Sequence, residues 1–244
     1  MTDRRTIYGL IAFIALASLA CVRLNLVPHP EPAESVVRVA AQPPMIPQTP
    51  VNPPPITRLP QSLKITPQPA CFYPDLEVDQ HISASGSYTL TERTVSTPMQ
   101  CHLVRDSCGY HQLMGIVDPS IVFKQEEAAP FDTEDILMHP AMLQPLARLN
   151  QLVQAEWGGS YQLRVTDAYD SLLEHDPPDS EPSRRYSLHY EGRAIDLTLW
   201  PIDYRHYSRL CALAHCAGFD WVLNETTHCH ASIKAESLCG VCGQ

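Results

Sequence analysis

Hydrophobic periodicity predicts most of the elements in the carboxy-terminal two thirds of this chain. Leu143, Leu146, Leu149 and Leu152 recur at three-residue intervals, which predicts a helix over residues 140–156 with one apolar face. A second helix is predicted over 204–216, with Gly218 as its stop signal. Residues 194–199 are apolar and β-branched and predict a strand, and Gly192 lets the backbone turn into it. Residues 164–168 read as another strand. A strand through His228-Cys229-His230 would put both imidazoles on one face and Cys229 on the other. Strands and helices alternate without a regular βαβ repeat. The prediction is therefore an α+β domain, a mixed or antiparallel sheet with two or three helices.

The amino-terminal stretch has no such pattern. Arg4 and Arg5 precede an apolar run over 7–22, the charged and hydrophobic regions of an export signal. At about sixteen residues the run is short for a membrane span, which needs about twenty. Leu16-Ala17-Ser18-Leu19-Ala20-Cys21 fits a bacterial lipoprotein cleavage site with a lipidated Cys21; an uncleaved signal anchor, holding the protein to a membrane, is the alternative. Residues 28–70 hold thirteen of the 23 prolines. They bury too little apolar surface to offset ordering entropy. They are predicted to be a semi-rigid polyproline spacer that holds the domain away from a membrane. The chain thus divides into a signal peptide or anchor (1–27), a linker (28–70) and one domain (71–244, core about 80–238).

Charge and cysteine content narrow the setting. The net charge is -10 and no basic stripe offsets it, which argues against a nucleic-acid partner. Nine cysteines are many for a reducing compartment. Setting Cys21 aside leaves eight, an even number that predicts disulfides in an exported domain. Connectivity is not readable, and the guesses are Cys101 with Cys108, and Cys211 or Cys216 with the pair Cys239 and Cys242. Cys229, on the back of its strand, is expected in the core or bridged.

The chemistry concentrates in Ser187-Leu188-His189-Tyr190-Glu191-Gly192-Arg193-Ala194-Ile195-Asp196, read with Glu225 and His228-Cys229-His230. Neutral imidazoles and a carboxylate suit Zn²⁺, and three protein ligands leave a fourth position for water. His189 would sit on the loop before the strand and Asp196 inside it. One of His228 and His230 would bind metal, with the other beside it as acid, base or donor; His230 is the favoured ligand.

These residues resemble a known family. Leu163-Arg164-Val165-Thr166, the stretch from Ser187 to Asp196, Ala217-Gly218-Phe219-Asp220-Trp221-Val222 and Ser232-Ile233-Lys234-Ala235-Glu236 resemble, in order, the amino-terminal signalling domain of hedgehog proteins. Ala84-Ser85-Gly86-Ser87-Tyr88, Asp118-Pro119-Ser120-Ile121-Val122-Phe123-Lys124, and Leu149-Asn150 followed by Trp157 extend the resemblance upstream. That domain is similar in fold to bacterial zinc D-Ala-D-Ala carboxypeptidases, which share Ser-x-His-x-x-Gly-x-Ala-x-Asp.

The resemblance implies that His189, Asp196 and His230 hold zinc. Glu225 matches the general base of the peptidase relatives, and His228 the other histidine of the cleft. Glu126, Glu127, Asp167 and Asp170 match carboxylates that bind two calcium ions, with Asp132 or Asp135 as a further ligand. Oxygen ligands clustered this way suit Ca²⁺, since their charges repel without a cation. There are departures. One residue fewer separates Glu225 from His228, which would displace the base. Leu172 stands where the family has another calcium-binding acid. Pro177, Pro178 and Pro182 enlarge the loop before His189. The autoprocessing domain that attaches cholesterol to hedgehog ligands is expected to be absent.

Two function classes follow. One is an exported or membrane-tethered module that meets an extracellular protein or peptide partner, with zinc mainly structural. The other is a zinc peptidase of the D-Ala-D-Ala type, with Glu225 and His228 as catalytic residues. Asp170 stands where the peptidases grip a substrate carboxylate with arginine, and would repel it. The binding module is the preferred reading.

Overall fold

The computed structural model describes residues 54, 56–58, 70–125, 129, 131–171 and 186–240. The export signal and the candidate lipidation site lie outside these residues. In chain order the elements are β1 (Ile56–Arg58), β2 (His81–Ser83), α1 (Glu92–Val95), β3 (Met114–Val117), β4 (Ile121–Phe123), β5 (Leu137–Met138), α2 (Leu143–Trp157), β6 (Gln162–Asp167), β7 (Ala194–Trp200), α3 (Tyr207–Ala217), β8 (Trp221–Asn224) and β9 (Cys229–Ser232).

Six strands form one mixed sheet in the order β2-β8-β9-β7-β6-β4. Every neighbour pair is antiparallel except β4 with β6. A second sheet has the order β1-β3-β5, with β1 parallel and β5 antiparallel to β3. Together with the three α-helices among the described residues this is the α+β architecture expected.

The helical periodicity is realised as a packed face. Leu146, Leu149 and Val153 of α2 are fully buried and Leu143 packs against the same core. Truncating one such leucine to alanine costs about 2–5 kcal/mol, from lost transfer energy and the cavity left behind. Helices α2 and α3 pack on each other and on the sheet. Pro140–Met142 forms a 3₁₀ turn before α2, and the His139 side chain accepts from the Ala141 amide. The predicted second helix likewise starts as a 3₁₀ turn, Tyr204–His206, with Asp203 accepting from the Arg205 amide. Helix α3 stops at Gly218, whose φ of 101° is left-handed and favours glycine.

Two expectations are corrected. The proline-rich stretch is not wholly a spacer, because Ile56–Arg58 pairs with Gly115, Ile116 and Val117 at the edge of β3. A short run of β-formers between prolines suffices when a neighbouring strand offers its unpaired backbone. The disulfides also differ. Cys101 joins Cys239 rather than Cys108, Cys71 joins Cys216, and Cys211 joins Cys229. Cys108 is disulfide-bonded as well. Cys229 does turn away from the His-bearing face, and it bridges to α3 through Cys211 inside the core.

Candidate metal centre

Adjacent strands bring the site together. Asp196 on β7 stands opposite His230 on β9 and Asp167 on β6. The β6–β7 register shifts between Val165 and Asp167, and such bulges re-aim side chains. His189 comes from a 3₁₀ turn, Leu188–Glu191, that ends at Gly192 with φ 61°. A Cβ there would lie 2.8 Å from Leu113 Cδ2 and 2.9 Å from the His139 nitrogen. Only glycine closes this turn, and closure delivers His189 beside the strand.

His189, Asp196 and His230 each offer one ligand atom, and these atoms lie within 4.8 Å of one another. His230 Nδ1 is 2.9 Å from Asp196 Oδ1 and 3.4 Å from His189 Nε2. Their outward nitrogens are engaged elsewhere. His189 Nδ1 donates to the Ala168 carbonyl at 2.7 Å, and His230 Nε2 donates to Glu92 Oε1 at 2.8 Å. In the neutral rings this leaves both lone pairs pointing inward, next to a carboxylate. Three acceptors facing one another repel unless a cation sits among them. The donor set, two imidazoles and a carboxylate, fits zinc.

Electrostatics agree with that geometry. Burial disfavours the charged form of His189, yet Asp167 and Asp196 outweigh it and push its pKa up to about 10. Burial also opposes charge on His230, and Glu92 with Asp196 hold it well above the ordinary histidine range. Burial would raise Asp196, but His189, His228 and His230 hold it well below the carboxylate range. Protons on the imidazoles are thus favoured beside these carboxylates.

The other predicted residues surround this centre unequally. His228 Nε2 lies 3.2 Å from Asp196 Oδ2 and 3.3 Å from Glu225 Oε2. Its pKa is pushed up to about 9, since Asp196 and Glu225 outweigh burial. Glu225 sits at the mouth, its side chain 41% exposed. The shortened segment makes a tight turn, with the Glu225 amide donating to the His228 carbonyl. Asp167 Oδ1 lies 3.6 Å from His189 Nδ1 and also hydrogen-bonds Asp170. Asp135 is buried in the turn Glu134–Ile136, whereas Asp132 is exposed. Glu126 and Glu127 lie outside the described residues.

Sequence reasoning missed Glu92. It stands 138 residues from His230, and no spacing rule joins them. Cys101, Glu191 and Cys239 also lie at ligand spacing. That trio is structural, because its cysteines bond each other and Glu191 is paired with Arg193.

The fold and the site define an α+β domain with two histidines and a carboxylate gathered where a 3₁₀ turn meets one sheet. Residues 68–232 match the model of the hedgehog amino-terminal signalling domain, and the chain belongs to that family. It is 34% identical over 167 residues to Tiggy-winkle hedgehog protein of Danio rerio, covering 68% of this chain and 34% of that protein. It is 38% identical over 135 residues to Indian hedgehog protein of Gallus gallus (55% and 30%), and 33% identical over 143 residues to Protein hedgehog of Drosophila virilis (58% and 27%). The chain spans about a third of the length of these relatives.

Proposed function

We propose that this domain is an exported, zinc-binding module of hedgehog type that meets an extracellular protein or peptide partner. The observation that carries the zinc reading is the pair of inward lone pairs on His189 and His230 facing Asp196. Zinc there would lock β7, β9 and the His189 turn together as a structural ion. Export is supported by the disulfides, which persist in oxidising compartments, and by the apolar run after Arg4 and Arg5. Membrane attachment through residues 1–27 belongs to the same proposal. Among the described residues no helix is long and apolar enough to cross a membrane.

Calcium is the second ion of the proposal. Burial raises the Asp167 carboxyl to about 8, with Asp170 and Asp196 adding to the rise against His189. Two carboxylates in contact favour a shared cation. Glu126, Glu127 and either Asp132 or Asp135 would complete the ligands.

Metal analysis of the purified protein tests the zinc reading. We expect about one zinc per chain in the wild type and little in His189→Ala. Equal zinc in both proteins would remove His189 from the site.

A further inference from the structure

We infer that Glu92 is a positioning residue of the metal centre: it decides which nitrogen of His230 faces Asp196 and His189. This rests on the zinc reading above. A carboxylate only accepts, so a His230 nitrogen that faces one and holds no metal must carry a hydrogen. That nitrogen is Nε2, 2.8 Å from Glu92 Oε1. With a cation in the site the ring is neutral, and Glu92 then keeps its one hydrogen on Nε2 and its lone pair on Nδ1, which is 2.9 Å from Asp196 and 3.4 Å from His189 Nε2; without a cation Nδ1 carries a hydrogen as well. Had Nδ1 held the hydrogen instead, the site would present a donor where a ligand is needed.

The two histidines are held by different means. His189 is oriented by a backbone carbonyl, that of Ala168, which no substitution removes. His230 depends on one side chain from a distant segment. That segment is a four-residue helix with no buried residue of its own, so packing within α1 does not fix Glu92.

What fixes it is the same motif that supplies His189. Arg193 Nη1 donates to the Ser96 carbonyl at 2.6 Å and to Thr97 Oγ1 at 3.1 Å, and Nη2 donates to the Pro98 carbonyl at 3.1 Å. Ser96 Oγ lies 2.8 Å from Ser232 Oγ, on the strand that carries His230, and Ser232 also hydrogen-bonds Glu92. Glu191 holds Arg193 in place through Nε at 2.7 Å. The residues between His189 and Asp196 therefore reach the third ligand through α1 and the turn that follows it.

Carboxylates in this position change metal affinity by about 10- to 100-fold when removed. The test is zinc affinity of the full chain, measured by chelator competition, in wild type, Glu92→Gln and Glu92→Ala. Imidazole ¹⁵N shifts of His230 are recorded alongside. We expect Glu92→Ala to bind about one zinc per chain about 10- to 100-fold more weakly, with the ¹⁵N shift of its His230 Nε2 moved by loss of the carboxylate acceptor. Glu92→Gln keeps an accepting oxygen and should recover most of the affinity. If Glu92→Ala fails to fold, Glu92→Met, of similar length and without an acceptor, carries the same expectation. Wild-type affinity and an unchanged Nε2 shift in Glu92→Ala or Glu92→Met would overturn the inference. A wild type that binds no zinc would instead overturn the zinc reading, and the ¹⁵N shifts of the metal-free protein would still judge the Glu92 contact.

Discussion

Two buried charge clusters share the stretch from His189 to Asp196, and they are balanced differently. Glu191 and Arg193 are both fully buried. Glu191 accepts from Arg193, from the Gln100 amide and from Ser237, while the remaining Arg193 hydrogens go to Ser96, Thr97 and Pro98. Each charge meets a fixed opposite charge. The candidate metal centre sets Asp167, Asp196 and Glu92 against imidazoles that are charged only when protonated. Its balance depends on protons bound to those imidazoles. A cluster of permanent charges is a staple; one balanced by exchangeable protons is where the proposal puts a cation.

The largest expected effect comes from unbalancing the staple. Arg193→Met leaves Glu191 buried and unpaired, which costs about 3–5 kcal/mol. Urea unfolding measures it. Adding Glu191→Leu should restore much of the loss, and failure to do so would show that the hydrogen bonds to residues 96–98 matter more than the charge.

The metal centre should respond to pH in a way that depends on zinc. In the metal-free protein His189 and His228 are raised to about 10 and about 9, from an ordinary value of about 6.5. The folded state then holds protons that the unfolded state has shed. Their contribution is full below about pH 6.5 and is lost as pH rises through 9 to 10. Asp167, raised to about 8, acts in the same direction between about pH 4 and 8. We therefore expect the melting temperature of metal-free protein to fall from pH 6.5 to 10. Zinc-loaded protein should instead lose its metal-derived stability as pH drops, because the ligands must be deprotonated. Parallel melting curves for the two forms would contradict a site whose protons and metal compete.

A smaller effect is expected from calcium. Millimolar Ca²⁺ should raise the melting temperature of metal-stripped protein, since a ligand bound only by the folded state stabilises it. Asp170→Asn should reduce that rise, and an unchanged curve in the wild type would remove calcium from the account. The smallest effect concerns Glu225. Its carboxyl is held below the usual range first by the His228 hydrogen bond, against burial, and it is exposed at the mouth. We expect Glu225→Gln to keep its zinc, and neither it nor the wild type to cleave D-Ala-D-Ala. Robust cleavage lost in Glu225→Gln would make the protein a carboxypeptidase.

What could be read along the chain was local. The leucine spacing of α2, the stop at Gly218, the strand through Asp196 and the alternation around Cys229 all depend on a few neighbouring residues. So do His189 and Asp196, whose separation is set by one glycine-closed turn and the strand after it. Alternation predicted that His228 and His230 share a face, but only His230 lies on β9, and His228 comes from the turn before it.

Tertiary structure alone decided the rest. The disulfide partners lie up to 145 residues apart, and equal cysteines carry no sign of which surface they will meet. The strand at Ile56–Arg58 exists because β3 offers it an edge, not because its own residues demand it. Glu92 belongs to a helix with no buried face, so nothing in its local pattern marks it. It reaches His230 only because Arg193 and Ser232 draw residues 92–98 against the sheet. Backbone preferences and periodicity act over a turn or two of chain. Pairing between distant residues depends on which surfaces the strand order places together.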